Sequence, residues 1–198
     1  LVSRMRNHPL DARQALLEAT RRVMAARGVT RPIDRLHWLE MRQRMGESTN
    51  AATRTAAVAD LSQLPQIAVS AMAMYTAYLA RMVPVEAAEH DDPAPTEPGL
   101  AWYASVMAPW ENRGEVPPCD PPDTDGLVHA LQELQGMAWM QRPLLARSWV
   151  LAAIEHSRYG RLNDNAADAL RLSCSLLDSP LPPELARHYG WSAPDTLT

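Results

Sequence analysis

Three pairs of side chains in this sequence have the residue types and spacing of metal ligands or of an acid/base couple. His37 and Glu40, His129 and Glu133, and Glu184 and His188 are each three or four residues apart, so each pair shares a helix face. A helical di-metal centre needs several such motifs converging from different helices, and the commoner use of a lone pair is a solvated ion pair. Cys119 falls in a proline-rich loop, and Cys174 on an apolar helix face reads as a small buried hydrophobe. The two form neither a disulfide framework nor a metal-spaced pair, which fits a reducing compartment. The chain contains no HExxH zinc helix, no GxSxG elbow and no GxxxxGK[ST] phosphate loop. Spacing therefore assigns no catalytic residue, no cofactor-binding residue and no metal ligand.

Charge offers a second kind of chemistry. All 19 basic residues are arginine, and residues 1–60 hold eleven of them against six acids, whereas residues 84–126 hold ten acids against Arg113 alone. The stretch after Gly28 carries Arg31, Arg35, Arg42 and Arg44, the layout of a helix-turn-helix reading helix. Against nucleic acid stand a pI near 5.9, the absence of lysine, and Trp38 and Met41 where polar base-reading side chains are needed. Arg31, Arg35 and Arg42 remain candidates for a protein-interaction surface. Trp102 and Trp110, in the aromatic segment LAWYASVMAPW, join them as residues that either dock on the core or wait for a partner. A pocket lined by Met and Trp for a small molecule is a third option, although core packing is the commoner use of such residues.

The elements that must position these residues are all helical, since no run alternates with period two. Residues 16–45 read as a helix, a stop at Gly28, a restart at Pro32 with Asp34 in the first turn, and a second helix closed by Gly46. Leu10, Leu17, Val23 and Met24 of the first helix, Pro9 to Ala26, are expected to face a core. The same punctuation returns 132 positions later: a helix to Arg158, a stop at Gly160, caps at Asn163 and Asp164, and an amphipathic helix ending near Asp178. Many helical hairpins share glycine and cap positions, so the sequence leaves a true duplication open.

Between the hairpins, Ser48 and Thr49 are placed to cap an Ala-rich helix to about Leu61, and Pro65 to Val83 forms a long helix. The stretch between Asp60 and Arg81 is uncharged but interrupted by Ser, Gln and Pro and rich in alanine, so it reads as a buried central helix and not as a membrane span. Residues 84–126 shift to Pro, Asp and Glu, the composition of an extended or mobile chain, with a short helix over 100–110. Helices are then expected over 126–140, from Arg142, and over 183–189. The fold expected is all-α, with packed hairpins around a central apolar helix. It divides into 1–83, an acidic linker at 84–126, and 127–198 packing back on the first part.

The stretches LLEATRRVMAARGVTRPIDRLHWLEMRQRMG and GRLNDNAADALRLSCSLLDSPLPPEL resemble the tellurite-resistance TerB-like helical unit. More specifically they resemble the C-terminal region that follows the catalytic domain in large proteobacterial M48 (HtpX-like) membrane metallopeptidases. The likeness covers Pro9 to Gly46 and Gln141 to Tyr189. It implies a non-catalytic regulatory or interaction domain, on the cytoplasmic side, tethered to the inner membrane through an upstream segment. The implied partner is another protein or the upstream catalytic domain of the same chain. The acid expected before each turn glycine is replaced by Arg27 and Tyr159, so no metal site carries over. With HExxH missing, the resemblance places any zinc and general base upstream of Leu1, a start without Met that fits a piece of a longer protein. The alternative is a free-standing TerB-like scaffold or stress-response binding module.

Overall fold

A computed structural model describes residues 7–28, 31–46, 60–84, 94–113 and 116–190. Among these the chain forms eight α-helices and no strand. Local signals set most of the ends. Helix α1 spans Leu10–Ala26, and α2 spans Pro32–Arg44 with the proline in its first turn and Arg42 and Arg44 in its last. The expected Ala-rich helix falls mainly on residues 47–59, outside the described residues. Leu61 belongs to a 3-10 turn, Leu61–Gln63, capped by Asp60, whose carboxylate accepts from Ser62 N at 2.8 Å.

Helix α3, Gln66–Leu79, carries no charge and is buried over most of its surface, with Ile67 exposed and Ser70 and Met74 half-buried along one face. Three hydroxyl-bearing residues anchor it. Trp149 Nε1 donates to Thr76 Oγ1 at 3.0 Å, Tyr75 donates to Ser173 Oγ at 3.1 Å, and Tyr78 donates to the Pro32 carbonyl at 2.7 Å. The Tyr75 ring also stacks on Trp149 with centroids 5.4 Å apart.

Residues 84–126, read as an acidic linker with one docking segment, hold that segment as a helix packed on the core. Helix α4, Glu97–Met107, begins three residues earlier than expected because Thr96 caps it, accepting from Gly99 N. It buries Trp102, Tyr103, Val106 and Met107, and Trp110 follows in the 3-10 turn Ala108–Arg113. Gly99 lies so close to α3 that a Cβ there would stand 2.0 Å from the Ala80 carbonyl oxygen. Tyr103 donates to the Pro117 carbonyl at 2.6 Å, and Val116 and Cys119 pack on the core. Aromatic burial, averaged away in a Pro/Asp-rich window, makes the described part of this segment a layer of the protein.

Helix α5, Thr124–Gln135, is capped by Asp123 and ends at Gly136, short of the expected Met140. Helices α6 (Gln141–Glu155), α7 (Asp164–Leu176, capped by Asn163) and α8 (Pro183–Gly190) complete the chain. One continuous apolar core joins α2 through α8.

Thr76→Val removes the acceptor of a fully buried indole N–H. It is expected to lower stability in urea unfolding by about 1–3 kcal/mol, while Thr76→Ser, which keeps the oxygen, stays close to wild type.

Candidate protein-interaction site

The two hairpins correspond in conformation as well as in punctuation. Gly28 and Gly160, and Gly46 and Asp178, are pairs 132 residues apart, and all four have positive φ. The turn bonds match in the same frame. Gly28 N and Gly160 N donate to Ala25 and Ser157 at 3.3 and 3.4 Å, and Met45 N and Leu177 N donate to Met41 and Ser173 at 2.9 and 3.0 Å. Helices α2 and α7 are both 13 residues long and stand in the same frame.

These equivalent helices pack side by side. His37 Nε2 meets Asp168 Oδ2 at 3.1 Å, Arg171 Nη1 meets Glu40 Oε1 at 3.9 Å, and Arg44 Nη2 donates to Ser175 Oγ at 3.2 Å. Each contact links residues 131 apart, so the helices run parallel, one residue out of register with the repeat. His37 and Glu40 thus share a face as expected, but that face belongs to an ion-pair seam. Glu184 pairs with Arg147 at 3.1 Å, and His188 approaches Asp164 at 3.4 Å. Among the described residues no group of three or more His, Cys, Asp or Glu is placed to hold a metal ion.

The candidate interaction residues separate. Trp102 and Trp110 are interior, 0% and 5% exposed, because their indole N–H groups reach the Trp149 and Leu61 carbonyls and their rings fill the core. They offer no surface to a partner. The exposed aromatics among the described residues are instead Trp139, Tyr159 and Tyr189, with Tyr159 at φ 59°. Arg31, Arg35 and Arg42 do lie together on α2. Arg31 pairs with Asp34 at 3.1 Å, and Arg35 and Arg42 face a groove.

That groove exists because α1 is held loosely. Leu17 is its one buried residue, and Arg13 Nη1 ties it to the Met45 carbonyl at 2.7 Å. Leu10 and Val23, expected to face a core, are 49% and 61% exposed, since among the described residues no helix closes over them. On one side of α1 and Trp38 lies a depression of about 430 Å³ between α1 and α2. On the other lies a groove of about 580 Å³ between α1, α2 and α5, with Met24, Trp38, Leu39 and Leu127 beneath Arg21, Arg35 and Arg42. Asp125, from the acidic region, reaches this groove.

Arg81, which nothing in the sequence singles out, sits at the end of α3 with its guanidinium 4.4 Å from the centre of the Tyr78 ring. Its Nε and Nη2 are buried without a hydrogen-bond partner. Burial depresses its basicity, Tyr78 opposes that effect, and nearby Arg35 adds to it.

Burial pushes the Cys119 thiol up to about 11 and the Cys174 thiol up to about 12. The thiolate is the nucleophile, so at pH 8 alkylation of Cys119 is expected to be about 100-fold slower than that of a free thiol, and that of Cys174 about 1,000-fold slower, both recovering in denaturant. Because the folded pKa of Cys174 is raised, its contribution to stability is full below the ordinary thiol range and is lost as pH rises from there through about 12. Mass-spectrometric alkylation kinetics check the first statement, and alkaline denaturation of a Cys174→Ala variant checks the second.

Among the described residues no helix is long and apolar enough to cross a membrane. Compared with known proteins, the chain matches no family model, no curated protein and no solved structure.

Proposed function

We propose that this chain is a non-catalytic interaction domain, the C-terminal accessory region of a membrane-associated M48-type zinc metalloendopeptidase. The observation that carries the reading is the pair of hairpins with matching turns, packed through α2 and α7, in the two stretches that resemble TerB-like units. Such a scaffold supplies a platform while one of its helices, α1, has a single buried residue among those described. That division suits binding better than turnover: His37, Glu40, Glu184 and His188 are engaged in ion pairs, and both thiols are held protonated.

In this reading the zinc ion and the general base belong to an upstream catalytic domain on the same polypeptide. The interaction domain works on the cytoplasmic face of the inner membrane, held there by an upstream segment. Its partner is that catalytic domain or a protein delivered to it, and neither a cofactor nor nucleic acid enters its task.

The test is to read the gene upstream of Leu1 in the same frame and then to delete residues 1–198 from the full-length protein. An HExxH helix with a membrane segment upstream, and altered cleavage of a membrane substrate after deletion with zinc content unchanged, are the expected results. A start codon directly before Leu1 would replace the reading with a free-standing TerB-like binding module. Chelator-sensitive proteolysis by the isolated chain would overturn its non-catalytic character.

A further inference from the structure

We draw no further inference here: the strongest candidate, the guanidinium of Arg81 at the end of α3 with Nε and Nη2 buried and without a hydrogen-bond partner, stands just before residues 85–93, which lie outside the described residues, so nothing in the structure shows what covers it.

Discussion

Enclosing α3 is the constraint from which the rest of the architecture follows. A largely apolar helix must be covered over most of its surface, and any polar atom it carries inward must find a partner there. Thr76, Tyr75 and Tyr78 do so on three different elements: the indole of α6, the hydroxyl of Ser173 on α7, and the carbonyl that opens α2. Each bond fixes a neighbour's rotation and distance about α3, which apolar contact alone leaves loose. The close approach at Gly99 fixes α4 in the same way, since its backbone rests against the end of α3.

Around that axis two hairpins of common design have taken opposite roles. The second closes with small residues at its seams, Ala152, Ala153, Ala166, Ala167 and Ala169, all buried, and so contributes directly to the core. The first carries Thr20, Arg21, Asp34, Arg35 and His37 at the matching positions, and its helices stand apart. The parallel seam between α2 and α7 lets both states coexist. It is polar and half exposed, with ion pairs that add specificity of register more than stability. Both hairpins contribute to the core, the first through Ile33, Leu36 and Leu39 of α2.

Much of this was legible locally. Proline at a first turn, asparagine before an amphipathic run and glycine after a helix act within a few residues, so the ends of α1, α2 and α7 fell within a residue or two of expectation. The burial of most of α3 was legible for the same reason, as composition alone dictates it. What failed were inferences that needed a neighbour. Leu10 and Val23 look like core residues, yet among the described residues nothing packs over them. Trp102 and Trp110 look available until α4 is placed against α3 and α6. The partner of His37, Asp168, lies 131 residues away, beyond any spacing rule, whereas Glu40 pairs at 2.7 Å with Arg44 one turn on. Arg81 carries no local signal at all, because its isolation is a property of the assembled core.

Arg81, at the end of α3, shows where the core departs from greatest stability. A guanidinium with two nitrogens buried and unpartnered costs on the order of 1–3 kcal/mol, and a second arginine nearby raises that cost. The face of Tyr78 offsets part of it. An apolar residue of similar length would fill the same space at less expense, so the charge contributes something other than packing.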